Sequence, residues 1–215
     1  MKIALIMEYS QSGKNELIYQ VLSAVAAEHG HTVVNYGQFD TADEHLTYNE
    51  VGLMTALVLN GGAADFVVTG CGTGIGAMLA CNAFPGVECG HAQDPTDAFL
   101  FTQVNGGNAL ALPYAKGFGW GGELNIRYLF EKLFIKEFGL GYPAENAASE
   151  QRNAKILNDM KKITHNDMIT IVDQIDSDML QHVLRRESFR AQFLSDCQSA
   201  DLKAAVEKKI AEAGF

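Results

Sequence analysis

The densest chemical signal in the chain is the stretch Gly70-Cys71-Gly72-Thr73-Gly74-Ile75-Gly76. It leaves a β-branched run, Phe66-Val67-Val68-Thr69, and enters an apolar run at helical spacing, Ile75 to Ala83. Glycines at alternate positions let a backbone turn tightly and come close to a ligand. The helix behind them presents free N–H groups and a partial positive charge. That combination suits an anion, either a phosphate or an oxyanion formed during a reaction. Cys71 stands directly before this nest, where a thiolate is stabilised and serves as a base or nucleophile. The same residues also fit a tight strand-to-helix turn beside a small buried cysteine. Gly72, Gly74 and Ala77 further match G-x-G-x-x-A, with Asp94 roughly 20 residues on, a dinucleotide fingerprint. Against that fingerprint, the loop follows the third strand and not the first. Gly13-Lys14 makes no phosphate loop, because Glu8 stands where its first glycine belongs.

The elements that must position this loop follow from periodicity. Ile3 to Met7, Thr32 to Tyr36, Phe66 to Thr69, Val87 to His91 and Ala109 to Leu112 read as strands. Ser12 is placed to cap a helix with Leu17, Val21 and Val25 on one face. Val51 to Leu59 lies in a helix ending at Gly61-Gly62, and Pro95 suits the first turn of a helix running to about Val104. Glycines 117, 119, 121 and 122 open a helix from about Glu123 to Phe138, which Gly139 to Pro143 break. From Ser149 onward only helical patterns occur. The alternation predicts an α/β fold: a doubly wound, mainly parallel five-stranded sheet, Rossmann-like, with a C-terminal helical extension. The expected division is a core over 1–148 and an extension over 149–215 that packs on the core or on a partner subunit. Ligands of such sheets bind at the carboxyl ends of the strands. Trp120 is expected to pack in the core.

The 215 residues are 47% hydrophobic, which suffices for an ordinary core, and carry a net charge of −10. An acidic chain without basic clusters is a poor binder of nucleic acid or of membrane surfaces. No apolar run approaches the ~20 residues of a membrane span. The N-terminal apolar run is too short for a signal peptide, so a cytoplasmic location is expected. Cys71, Cys81, Cys89 and Cys197 form no C-x-x-C pair or zinc pattern, and the six histidines show no metal spacing. No cofactor and no metal is therefore expected.

The chain resembles the ribose-5-phosphate isomerase B family, which includes the galactose-6-phosphate isomerase subunits. The resemblance rests on Cys71 to Gly76, on Asn82-Ala83-Phe84-Pro85-Gly86, on Asp94-Pro95, on Asn105-Gly106-Gly107-Asn108 before an apolar strand, and on Thr47-Tyr48-Asn49 upstream. It spans about residues 1–155. It implies an aldose–ketose isomerase acting on a phosphorylated sugar through a cis-enediolate. Cys71 matches the base that moves the proton between C1 and C2. Thr73 and the N–H groups of Gly72, Gly74, Ile75 and Gly76 match the oxyanion-stabilising loop. Tyr48, with Glu8 and Tyr9, falls in the sugar pocket, and Asn105 matches a ligand of a substrate hydroxyl. Arg152 aligns with a phosphate-binding arginine that reaches a neighbouring subunit's site. A homodimer or higher homo-oligomer with sites at the subunit interface is thus implied.

Three positions depart from the family. Glu8-Tyr9 replaces an Asp-His pair, Ala148 stands where the first phosphate arginine belongs, and Val104 replaces the histidine that opens a furanose ring. Valine transfers no proton. An open-chain substrate, such as a tetrose phosphate whose hydroxyls close no five-membered ring, needs no ring opener. His91 is the nearest histidine in sequence to take over that step. A non-catalytic sugar-phosphate-binding subunit of a hetero-oligomer is the third reading.

Overall fold

The computed structural model describes residues 1–42 and 44–215. Five strands form one sheet in the order β2-β1-β3-β5-β4. They are β1 (Lys2–Met7), β2 (Thr32–Asn35), β3 (Phe66–Cys71), β4 (Cys89–His91) and β5 (Ala109–Pro113). Every pairing is parallel, where the sequence predicted mainly parallel. The register sets Met7 beside Gly70, Cys71 beside Pro113 and His91 beside Ala111. All carboxyl ends therefore meet along one edge.

Along β3 and β5 every residue is buried, as both faces of a parallel sheet are covered. Alternation sorts their side chains. Ile3, Leu5, Phe66, Val68, Leu110 and Leu112 pack against α1 (Asn15–Glu28) and α5 (Gly122–Leu133). Ala4, Ile6, Val67, Cys71, Ala109 and Ala111 face α2 (Tyr48–Asn60) and α3 (Ile75–Asn82). The helix α4 (Pro95–Leu100) starts at Asp94, whose carboxylate accepts from the N–H groups of Thr96 and Asp97, and runs on as a π turn over Phe101–Asn105.

The C-terminal segment contains α6 (Ala147–Thr164), α7 (Met168–Gln174), α8 (Ser177–Arg185), α9 (Glu187–Asp196) and α10 (Ala200–Ala213). Met168, Val172, Leu180, Val183, Phe189, Phe193, Leu202 and Val206 join the same apolar cluster as α2. Asp196 ties this layer to the sheet, meeting Lys2 Nζ at 2.6 Å and accepting from the Tyr36 hydroxyl at 3.0 Å. By contrast, α6 buries none of its eighteen residues. Among the described residues no helix is long and apolar enough to cross a membrane.

Local expectations shift in four places. A 3-10 turn over Tyr9–Lys14, capped by Glu8, precedes α1, so Ser12 lies buried inside the turn and caps nothing. β4 is three residues long because Val87 and Glu88 precede its pairing. α5 stops at Leu133, since Phe134 and Phe138 leave the helix path to pack edge-on against Phe66. Trp120 is fully exposed and not packed in the core, because the glycines around it hold it on a surface loop.

Candidate active site

The loop after β3 is assembled from the backbone outward. Gly70 is required at its root: a Cβ there would lie 2.4 Å from the Leu112 carbonyl oxygen and from the Tyr114 ring. Cys71 follows at the strand end, 8% exposed. Gly74 takes φ +75°, a left-handed conformation open to glycine, and begins α3. The loop carbonyls are engaged on its outer side. Gly72 O accepts from Ala115 N–H at 3.0 Å, Gly74 O accepts from Met78 N–H at 3.0 Å, and Thr73 O accepts from His91 Nε2 at 2.9 Å. No hydrogen bond among the described residues uses the N–H groups of Gly72, Thr73 or Gly74. A backbone with its acceptors satisfied and three successive donors free can receive an anion, as backbone nests do. Thr73 Oγ1 meets Ile75 N–H at 3.3 Å, which sets the hydroxyl at the mouth of the nest.

The neighbouring loops bring the other carboxyl-edge residues to it. Glu8 N–H donates to Gly70 O at 3.2 Å, joining the end of β1 to the loop root. The Glu8 carboxylate accepts from Ser10 N–H at 3.0 Å and Ser10 Oγ at 2.6 Å. Tyr9 stacks on His45 with ring centroids 3.3 Å apart. Tyr48, the first residue of α2, covers Gly76: a Cβ on that glycine would come within 3.2 Å of the Tyr48 ring. A capping box holds Tyr48 in place, with Glu50 accepting from Thr47 N–H at 2.6 Å. Buried Glu50 in turn meets His182 Nδ1 from α8, which links the C-terminal layer to this corner of the site. Ser10 and Gln11 approach Gly72, and no motif points to them beyond their place after Glu8-Tyr9.

Asn105 and Arg152 are not brought to Cys71. Asn105 sits exposed in the π turn before β5. That turn leads to Asn108, which accepts from Glu88 N–H at 2.8 Å and donates to Gly86 O at 2.8 Å, all at the amino edge of the sheet. Four residues of β3, about 13 Å at strand rise, separate that level from Cys71. Val104 shares the π turn. Arg152 is exposed on α6, whose start packs on Gly139 through Gln151 and whose Lys161 reaches the Val87 carbonyl, again at the amino edge. Ala148 is exposed in the first turn of the same helix.

A cavity of about 280 Å³ opens across the sheet edge from Cys71, on the α1 and α5 side, lined by Leu112, Tyr114, Lys116, Phe118 and Asn125 among others. Beside it Lys14 donates to Gln11 Oε1 at 2.7 Å and to the Tyr114 carbonyl, tying the loops after β1 and β5 together. Burial pulls the Lys14 ammonium below the usual lysine pKa.

Comparison with known proteins decides the kinship. Residues 3–156 match the profile of the ribose/galactose isomerase family. The chain belongs to that family. A second profile, described as ribose-5-phosphate isomerase, matches residues 163–208, within the C-terminal layer. Ribose-5-phosphate isomerase B of Escherichia coli K12 is 33% identical over 84 residues, which are 39% of this chain and 55% of that protein. The match thus spans about half the length of that curated relative. A crystal structure of 4-deoxy-L-threo-5-hexosulose-uronate ketol-isomerase complexed with a tartrate is 56% identical, with TM-score 0.95 over 98% of this chain and all of that one. A ribose-5-phosphate isomerase structure from Vibrio parahaemolyticus is 47% identical, with TM-score 0.94 over 97% and 99% of the two chains. Type B ribose 5-phosphate isomerase of Trypanosoma cruzi, 18% identical with TM-score 0.63 over 75% and 99%, shares the fold. With these relatives the chain belongs to the sugar isomerases.

Proposed function

We propose that the chain is an aldose–ketose isomerase that converts an open-chain acidic sugar through a cis-enediolate at the Cys71 loop. The observation that carries this is the nest itself: free N–H groups of Gly72, Thr73 and Gly74 beside a cysteine at the strand end. In the reaction the Cys71 thiolate takes the proton from C2, and the C2–H electron pair forms the C1–C2 double bond. The former carbonyl oxygen becomes the oxyanion that the nest receives. The proton returns to C1 and the O2 proton passes to O1, which leaves a ketone at C2. A general base positioned on the proton it moves contributes about 10²–10⁴-fold.

The acid carried by the sugar is, in this reading, a carboxylate, where the resemblance implied a phosphate. The substrate named for the 56% identical ketol-isomerase has, by that name, an aldehyde at C1, no hydroxyl at C4, a ketone at C5 and a carboxylate at C6. With no hydroxyl at C4 or C5, nothing closes a five- or six-membered ring on C1. Such a substrate needs no ring-opening histidine, which fits Val104. A planar carboxylate is met by a single arginine fork, which fits Arg152 with Ala148 in place of its partner. The 47% identical ribose-5-phosphate isomerase favours a second reading, a phosphorylated sugar.

Arg152 and Asn105 join a site only across a subunit boundary. Ile156, Met160 and Ile163 on α6 are 50%, 51% and 84% exposed at helical spacing. In this reading the stripe pairs with a second copy. Residues 1–148 then carry the proton chemistry, and 149–215 serve assembly through α6 and support of α2 through α7–α10.

The test is deuterium exchange at C1 and C2 in D₂O, followed by NMR, on C4 to C6 aldose phosphates and on hexuronates with and without the 4-deoxy-5-keto pattern. Fastest exchange on the 4-deoxy-5-keto uronate supports the carboxylate reading. Faster exchange on a pentose phosphate returns the phosphorylated sugar. No exchange on any of them removes the isomerase reading.

A further inference from the structure

From the sequence, His91 is the nearest candidate to replace the missing ring opener, with a structural role as the commoner alternative. The structure gives it other work. Its Nε2 lies 2.9 Å from the Thr73 carbonyl oxygen. A carbonyl only accepts, so Nε2 carries the proton and donates. The same ring edge packs on Gly74: a Cβ at that glycine would lie 2.7 Å from both His91 Nε2 and Cδ2. His91 is thus held between the Thr73 oxygen and the Gly74 backbone, the two ends of one peptide unit.

That unit is trans and planar, so its C=O and N–H point in opposite directions. The Thr73 carbonyl is turned toward His91 on β4, and the Gly74 N–H is therefore directed away from β4. We infer that His91 is a positioning residue for the isomerisation: by holding the Thr73 carbonyl it aims the Gly74 N–H at the place where the oxyanion forms. The inference rests on the reading of this loop as the oxyanion site.

The physical reason such a clamp matters is conformational. Gly74 sits at φ +75° and, as a glycine, reaches several other backbone conformations at little cost. The Thr73–Gly74 peptide has no strand partner, and Gly74 caps α3 without any side-chain cap bond. Without His91 the peptide plane is free to rotate. A donor averaged over orientations is worth far less than one preorganised, and removing one oxyanion donor costs about 10²–10³ in kcat. The role also accounts for a histidine at the end of a three-residue strand. β5 lies between β3 and β4 in the sheet, so a side chain on β4 must cross it to touch the loop. The imidazole spans that gap.

The test compares His91→Leu, which keeps an apolar side chain against Gly74 but has no donor, with His91→Gln, which restores an N–H. Steady-state kinetics are measured on the best substrate of the exchange panel. Expected is a kcat loss of about 30- to 100-fold in H91L, KM within about threefold of the parent, and at least tenfold recovery of kcat in H91Q. A hydroxamate analogue of the enediolate loses affinity in step with kcat. In ¹⁵N NMR of the unliganded protein, the His91 imidazole carries its proton on Nε2, and the Gly74 amide resonance moves in H91L and returns toward the parent position in H91Q. H91L with kcat within threefold of the parent overturns the inference, as does H91Q no better than H91L. A Gly74 amide indifferent to both variants overturns it whatever the activity. If the parent isomerises nothing while the Gly74 amide still responds in this way, the clamp stands and the isomerase reading falls.

Discussion

At the carboxyl edge of the sheet each loop that carries a candidate residue is tied to its neighbour within the chain. Glu8 is joined to Gly70, Tyr48 is held over Gly76 by the Thr47–Glu50 box, and the Gly74 loop is pinned by His91 and Ala115. At the amino edge, Asn105 and Arg152 stand exposed on a turn and on a helix with no buried residue. The difference separates what one chain completes from what it leaves for another surface. In the proposed reading, the groups for proton transfer and oxyanion stabilisation are held within one chain. Recognition of the substrate's distal end waits, in the reading above, for a second copy. Preorganised polar groups need support around them, and at the carboxyl edge Cys71 and Gly74 are buried while Thr73, Ile75 and Tyr48 face outward. A helix whose apolar stripe faces solvent gains its stability when that stripe is covered.

This comparison is sharpened first at Cys71. Cys71→Ala is expected to lower C1/C2 exchange by at least about 10²-fold while leaving the melting temperature nearly unchanged. Retained exchange would move the base elsewhere on the carboxyl edge. The next effect is at α6. Ile156→Asp combined with Ile163→Asp is expected to give a monomer by light scattering and to raise KM at least tenfold. Arg152→Ala alone should raise KM by about 10- to 100-fold, the worth of a charge-assisted hydrogen bond of about 1.5–3 kcal/mol. A monomeric variant with parental KM would show the carboxyl edge to be complete alone, and the contrast between the edges would collapse. The smallest effect distinguishes two glycines of like conformation. Gly74 and Gly121 have φ +75° and +79°, but a Cβ meets the His91 ring at the first and nothing within 4 Å at the second. Gly121→Ala should cost only the left-handed penalty of about 1–2 kcal/mol in urea unfolding. Gly74→Ala should cost more than that and also lower kcat. Equal losses at the two sites would argue against a tightly held Gly74 loop.

Much of the fold was legible in the chain. Alternating β-branched and helical runs named every strand and the helices between them, because period 2 and period 3.6 are local properties. The turn at Cys71 was legible for the same reason: alternate glycines between a strand and a helix mark a tight strand-to-helix connection. What failed was whatever depended on distant partners. Glu8, and not Ser12, caps the first turn because Glu8 is already fixed to Gly70. α5 ends early because Phe66 draws Phe134 and Phe138 out of the helix path. Trp120 lies outside because its glycine loop has no layer above it. The pairing of His91 with Thr73 spans eighteen positions and two strand steps, which no motif encodes.

The amino-acid sequence by itself determined that a cysteine and a glycine-rich turn stand at the end of the third strand, since strand, turn and helix propensities there are set by adjacent residues. Through the resemblance, it also marks Val104 and Ala148 as the positions expected to depart from the family. Only the tertiary structure decided which residues share an edge. Register across β1, β3, β5 and β4 places Glu8, Tyr48, Cys71 and His91 together and sends Asn105 and Arg152 to the opposite side, because strand order and parallel pairing, not chain order, set distance in a doubly wound sheet.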